Sequence, residues 1–375
     1  MNLSTEDIFL LLSSSLDLQR FKILIKKIYD KDEDLSFLLS SVESDSEISL
    51  SFFDKEKIDF IKKEIKKTYI DQIKKDMDYE NVNFISYSDN KYPKKLKEIN
   101  DSPLGLFYRG NLDLFNSLSV AIVGTRNPTN YGIKITKRIT ELFSEKKLTV
   151  ISGLASGIDS CAHEGAIISG KTIAVLGTGL DKIYPQENKK LFDKIIKNDS
   201  LIISEYPLGA EGMPWNFPQR NRIISALSDA VIVVEGNLQS GSLITARFAI
   251  RQDKPLFALP GPIDSPESNG PNMLIKSGVA ELLTSVDDIF EKISDLKSCG
   301  VQVQLDFKEK GKSLEGLNET QILIYKLLDK ESKSFDVLIS DTKLNSGELL
   351  KNLSMLELKG YVEKKLNGNY EANQA

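Results

Sequence analysis

SVAIVGTRNPTNYG, residues Ser119–Gly132, decides the fold. The apolar run Val120 to Val123 meets Gly124, and the pattern then changes to helical spacing over Tyr131 to Ser144. The same succession recurs after apolar runs at Leu148 to Ile151, Thr172 to Leu176, Leu201 to Ser204, Ala230 to Val234 and Pro255 to Leu259. Runs that are apolar on both faces suit strands buried in a parallel sheet, and the intervening lengths suit crossover helices. The expected class is α/β, an open doubly wound, mostly parallel sheet. Ligands on such sheets bind beyond the carboxyl ends of the strands, so the loops after these runs form the candidate site.

The first loop offers Gly124 for a tight turn, unpaired N–H groups at a helix entrance, and the fork-shaped donor Arg126. That set suits an anion; a strand-to-helix turn with a solvated arginine is the alternative. It is neither GxGxxG nor a Walker A loop, so a dinucleotide fingerprint is absent. The second loop, SGLASGIDSCAHEGA (Ser152–Ala166), puts Gly153 and Gly157 at another helix entrance. His163, the only histidine, follows Asp159 by four residues on one helix face. That spacing suits a packed hydrogen-bonded pair or a general base with its orienting carboxylate.

The third loop, GTGLDKIYPQENKK (Gly177–Lys190), brings Tyr184 and the pair Lys189 and Lys190 near a helix start. An aromatic with a cation suits a nucleobase and its phosphate; a merely shaped loop with solvated lysines is the alternative. EGNLQSGSLITA (Glu235–Ala246) has GxxxxG spacing from Gly236 to Gly241, with Ser242 where a P-loop needs lysine. Without that lysine the β- and γ-phosphates of a nucleotide go unneutralised, so the helix start at Ser240, Gly241, Ser242 and Thr245 points to a phosphate contact without hydrolysis. Upstream, FPQRNRIISALS concentrates Arg220, Asn221 and Arg222, for phosphate binding or for an internal ion-pair network.

None of the 23 glycines precedes Gly105, which favours helices over a turn-rich sheet in the first 80 residues. Apolar residues there recur at helical spacing over Phe21 to Ile28 and at Ile58, Ile61 and Ile65, with Lys62, Lys63, Lys66 and Lys67 on the other face. This segment holds 13 basic and 18 acidic residues and the other 295 hold 36 of each, so the formal charge of −5 resides in it. A neutral middle provides no basic stripe, and any nucleic-acid binding must rest on local pockets. Cys161 and Cys299 match no CxxC spacing, and a single histidine excludes a polyhistidine metal site. No metal or other cofactor is expected. The run Ile8 to Leu12 lacks a basic flank, and no run approaches the roughly 18 apolar residues of a membrane span, so a cytoplasmic protein without a membrane segment is expected.

Taken together and in order, the loops resemble the DprA/Smf family of bacterial DNA-processing proteins across at least Tyr92 to Ala280. The resemblance is carried by YP at Tyr92 and Pro93, YRG at Tyr108–Gly110, VGTR, SGLASGID with Ala162 and His163, TIAVLGTGLDKIYP, SEYPLG, FPQRNRIIS, SGSLITA, and FALPG at Phe257–Gly261. It implies a non-enzymatic, Rossmann-like core that binds and protects single-stranded DNA and helps load RecA during natural transformation and recombination in competent cells. It also implies a homodimer formed through that core.

Carried over by position, Gly124, Thr125 and Arg126 would hold DNA phosphate, with Gly153, Gly177 and the RNR and SGSLITA segments on the same side of the sheet. Members often have lysine directly after the Tyr-Pro of the third loop; this chain has Gln186, so Lys189 or Lys190 would have to replace that contact. The helix-hairpin-helix turns common in the family's first domain use glycine, which this segment lacks.

The expected organisation is a helical, divergent SAM-like domain over 1–80, a Rossmann-like DNA-binding core over 81–300, a linker over 301–315 and a winged-helix-like domain over 316–375. The last rests on helices over Glu319 to Leu328, around Phe335 to Ile339 and over Ser346 to Lys359, then a hairpin from Tyr361 to Tyr370 turning at Asn367 and Gly368. Its third helix carries Glu348 and Glu357 beside Lys351 and Lys359, a poor surface for phosphate, which favours protein contact over duplex DNA. The competing function is a nucleoside monophosphate phosphoribohydrolase, which also uses a glycine-rich loop before a helix. Such enzymes read GGxGTxxE there, and here Phe248 stands three residues after Thr245 where the carboxylate is needed.

Overall fold

The computed structural model describes residues 9–10, 13–14, 70–293, 317–330, 332–365 and 368–372. Most of the expected 1–80 domain, the lysine-bearing face around Ile58 to Lys67, the 301–315 linker, Cys299 and Asn367 lie outside them. The chain divides into two compact units, Met1–Leu305 and Asp306–Ala375.

In the first unit the described strands build one sheet in the order β1-β2-β6-β5-β4-β3-β7-β8-β9. These are β1 (Asn83–Ser86), β2 (Gly105–Gly110), β3 (Ser119–Val123), β4 (Thr149–Ser152), β5 (Lys171–Leu176), β6 (Leu201–Ser204), β7 (Ala230–Val233), β8 (Leu256–Ala258) and β9 (Glu281–Leu282). Strands β3 to β9 pair parallel, while β2 lies antiparallel to β6 and β1 antiparallel to β2. The fold is α/β and Rossmann-like, with an antiparallel margin that the apolar runs did not reveal.

Alternate residues of β3 serve opposite faces, as the two-residue period of a strand requires. Val120 and Ile122 join Ile135, Ile139 and Phe143 of the helix Asn130–Glu145 in one core. Ala121 and Val123 join Ile223 and Ile224 of the helix Asn216–Leu227 and Leu243 of the helix Ser242–Arg251 in another. Burying one such aliphatic side chain contributes about 1.5–3 kcal/mol, so both faces of β3 hold it at the centre of the sheet. From β3 the chain steps outward through β4 and β5 to β6, then returns to β7 on the other side of β3. The reversal between β3 and β7 is where such a sheet opens a crevice.

The second unit packs the helices Glu319–Lys330, Phe335–Thr342 and Ser346–Leu358 around Ile324, Leu328, Leu338, Leu349, Leu353 and Leu356. An antiparallel pair, β10 (Val362–Lys364) and β11 (Tyr370–Ala372), follows. Asn345 caps its third helix by accepting from the Glu348 N–H at 2.9 Å. Among the described residues, no helix is long and apolar enough to cross a membrane.

Candidate functional site

The loops after β3 and β7 flank the crevice and are tied to each other. Thr125 N donates to Glu235 O at 2.7 Å, and Ile158 N, at the head of the helix Ile158–Ser169, donates to Thr125 O at 3.1 Å. The buried Glu235 carboxylate accepts from Thr129 N at 2.9 Å and from Thr129 Oγ1 at 2.5 Å. Thr129 Oγ1 in turn accepts from Gly132 N at 3.2 Å. The helix entrance expected to receive an external anion therefore already holds the chain's own carboxylate. What remains is Arg126: it is exposed, its guanidinium sits 5.9 Å from the Phe217 ring, and it has no ion-pair partner among the described residues.

Gly157 shapes this loop from the neighbouring strand. Its φ is +82°, and a Cβ there would lie 2.4 Å from Thr125 O and 2.7 Å from the Arg126 carbonyl carbon. Gly124, partly buried, packs against Ile158. Gly153 and Leu154 are held by their backbone N–H groups, Gly153 N donating to Asp159 Oδ2 at 3.1 Å and Leu154 N to His163 Nε2 at 3.3 Å. His163 is thus not paired with Asp159: the two side chains hold successive amides of one loop. Burial, with the Arg220 charge nearby, pushes the His163 pKa down to about 3, so its ring is neutral. Burial also pushes the Asp159 carboxyl up, against the pull of Arg220.

The RNR segment takes its internal reading at both arginines. Arg220 is buried and donates through Nη1 to Gly153 O at 2.7 Å and to Val175 O, joining the carboxyl ends of β4 and β5. Burial lowers its pKa to about 10. The Arg222 side chain is 0% exposed and pairs with Glu205 at 2.6 Å and Asp101 at 2.9 Å. Neither guanidinium presents a face to a phosphate, which corrects the expectation of direct contact through them. Asn221, half-buried, accepts from Arg220 Nε at 3.2 Å and donates to Gly241 O at 3.4 Å, linking Arg220 to the loop after β7.

On that loop Gly241 is exposed, Ser240 Oγ accepts from Ser242 N at 3.3 Å and the two hydroxyls lie 2.8 Å apart. Ser240 thereby covers part of the helix start. Thr245 is buried and lies beneath the surface, so an expected direct contact there is corrected to a packing role.

On the β5 loop, Gly177 allows a close approach: a Cβ there would lie 2.8 Å from Phe217 Cδ1. Tyr184 stacks at a tilt on Phe217, ring centroids 5.2 Å apart. Lys189 and Lys190 are exposed at the start of the helix Lys189–Lys197, and Lys189 lies 3.8 Å from Asp193. An exposed pair of that kind contributes little and leaves the ammonium free to move. Asn188 Nδ2 donates to Leu154 O and Ser160 Oγ, both at 2.9 Å, bridging the loops after β4 and β5.

Glu235, Thr129, Phe217 and Trp215 escaped sequence reasoning. The signal for Glu235 was a carboxylate ending a fully apolar strand, and for the aromatics their place just ahead of RNR. Among the described residues, no cluster of His, Cys, Asp or Glu could hold a metal ion. The arrangement can bind an anion through one guanidinium beside flat rings.

The family model described as DNA recombination-mediator protein A matches residues 83–294. The chain is 43% identical over 216 residues to DNA processing protein DprA of Bacillus subtilis (strain 168), covering 57% of this chain and 72% of that relative. The X-ray structure of DNA processing protein A from Streptococcus pneumoniae matches with a TM-score of 0.67 and 36% identity, over 78% of this chain and 99% of that one. DNA processing protein A from Helicobacter pylori, solved for its single-stranded DNA binding mode, matches with a TM-score of 0.52 and 33% identity, over 59% of this chain and 99% of that one.

Proposed function

The chain belongs to the DNA recombination-mediator protein A family, and from that premise we propose that it binds and protects single-stranded DNA across the β3–β7 crevice. In this reading it acts in the cytoplasm, as a homodimer through the Rossmann-like core, and assists RecA loading in natural transformation and recombination. One observation carries it: Arg126 is an exposed guanidinium without an ion-pair partner among the described residues, on a loop fixed from both sides by Glu235 and Gly157. A rigid, unpaired fork-shaped donor is suited to a phosphate oxygen pair. Exposed Lys189 and Lys190 supply further charge near the same mouth.

The second unit's three helices and hairpin support a winged-helix reading. Glu348, Lys351 and Glu357, exposed on its third helix, and Lys359, exposed at its C-cap, favour a protein partner there over duplex DNA.

The test is fluorescence anisotropy of a labelled oligothymidine across a salt series, with duplex competitor, for wild type and Arg126→Ala. The expected result is single-strand-preferring binding whose logarithm falls with log salt by about 0.7 per phosphate engaged. Arg126→Ala should lose about 1.5–3 kcal/mol, the worth of a hydrogen bond to a charged group. Absence of binding at low salt, or wild-type affinity in Arg126→Ala, would overturn the reading. Release of free base from nucleoside monophosphates would favour the phosphoribohydrolase instead.

A further inference from the structure

The helix Lys189–Lys197 reads KKLFDKIIK, with Leu191, Phe192 and Ile195 buried. A helix turns by about 100° per residue, so Lys190, Lys194 and Lys197 stand together on the face opposite that apolar stripe. All three are exposed, and none has an ion-pair partner among the described residues. Asp193, the only acidic residue of the helix, lies to one side, 3.8 Å from Lys189. Elsewhere in the unit Lys171, Lys182 and Lys292 reach Asp199, Glu211 and Glu281. The ridge has no such neutralisation, in a chain whose formal charge is −5. Lys190 lies in the first turn, where the helix macrodipole favours acidic groups, so its charge works against the fold rather than for it.

The ridge is held in a fixed direction from the crevice. At its start Asn188 Nδ2 donates to Leu154 O and Ser160 Oγ, both at 2.9 Å, and at its end Asn198 Nδ2 donates to Ile167 O at 3.1 Å. Both ends of the helix are therefore tied to the helix Ile158–Ser169 and to the loop that precedes it. We infer that Lys190, Lys194 and Lys197 form a phosphate track along which a single strand leaves the crevice over the outer face of this helix, an inference that rests on the single-strand reading of the crevice.

The spacing fits a polyanion. At a rise of 1.5 Å per residue, Lys194 lies about 6 Å and Lys197 about 10 Å along the helix axis from Lys190. A stacked strand carries a phosphate about every 3.4 Å and a stretched strand fewer, so the ridge spans about two or three phosphates. Flexible ammonium groups make point-charge contacts that favour no base, and the track adds affinity without adding sequence preference. Its contribution depends on strand length, because a strand short enough to end inside the crevice never reaches it.

The test is anisotropy of labelled oligothymidines of about 6 and about 12 nucleotides on the full chain, across a salt series. The triple variant Lys190→Gln, Lys194→Gln, Lys197→Gln should weaken binding of the longer strand at least about tenfold at low salt. It should also lower that strand's salt slope by about 1.5 to 2, at about 0.7 per phosphate. The shorter strand should change less than about twofold, and replacing the same three lysines by arginine should restore the longer strand's affinity. A control with Lys91→Gln, Lys94→Gln and Lys147→Gln, three exposed lysines outside this helix, carries the same net charge and should leave both lengths near wild type. Arg126→Ala should weaken both. Wild-type affinity in the ridge variant, an equal loss at both lengths, or an equal loss in the control overturns the track and leaves the single-strand reading standing. Failure of wild type to bind either strand overturns that reading as well.

Discussion

His163 makes the pH dependence of stability separable, because it is the only histidine in the chain. Its buried ring accepts the Leu154 N–H at Nε2 and meets Thr172 Oγ1 at Nδ1, 2.7 Å away. Thr172 Oγ1 donates its own proton to Val150 O at 2.7 Å, so Nδ1 is the donor in that pair and Nε2 has no proton. Burial first, and the Arg220 charge second, push the ring's pKa from 6.5 to about 3. The unfolded chain, with the ordinary value near 6.5, then binds more protons than the folded one between the two pKa values. This contribution to stability is complete above the unfolded pKa and is lost as the pH falls toward the folded one. Between pH 7 and pH 5 the loss from this ring amounts to about 2 kcal/mol. The assay is urea unfolding at steps across that interval, for wild type and for His163→Gln, which cannot titrate there. The variant's stability should change by about 2 kcal/mol less than that of wild type over the interval. Equal slopes, or a wild type that gains stability on acidification relative to the variant, would refute a buried neutral ring.

Glu235→Ala removes the acceptor for two Thr129 donors and should cost about 2–4 kcal/mol in urea unfolding, with weaker strand binding because the Arg126 loop loosens. Glu235→Gln, which keeps one acceptor, should recover part of both. Arg222→Met takes the guanidinium away from the buried Glu205 carboxylate and should cost about 3–5 kcal/mol, much of it regained when Glu205→Gln is added; a double-mutant cycle reads the coupling. Gly157→Ala forces a side chain into a backbone with φ of +82° against Thr125 O. It should destabilise by at least about 1 kcal/mol and weaken strand binding severalfold in the anisotropy assay, since the displaced atoms belong to Thr125 and Arg126.

The central strands were legible because a strand covered on both faces must be apolar at every position, as Val120 to Val123 and Leu201 to Ile203 are. The glycine-rich loops were legible for a related reason: a Cβ would crowd Thr125 O at Gly157 and the Phe217 ring at Gly177. Strands β1 and β2 were not, because short antiparallel segments at the margin of a sheet carry neither the run length nor a crossover helix that would mark them.

Local sequence also left three arginines alike. Arg126, Arg220 and Arg222 each sit near a loop at the carboxyl end of the sheet, and only packing separates them. Arg222 is internal because Asp101, 121 residues away, and Glu205, 17 residues away, close around it; Arg220 is internal because the ends of β4 and β5 converge on it. Arg126 stays open because Glu235, 106 residues away from Thr129, takes the helix entrance behind it and leaves the guanidinium nothing within the chain to pair with among the described residues. Composition and periodicity determine which segments become buried strands, since hydrophobic burial is summed residue by residue along the chain. Which polar group faces solvent is decided by tertiary contact, because a charge is satisfied by whichever partner folding brings within a few ångströms, and sequence distance carries no record of that partner.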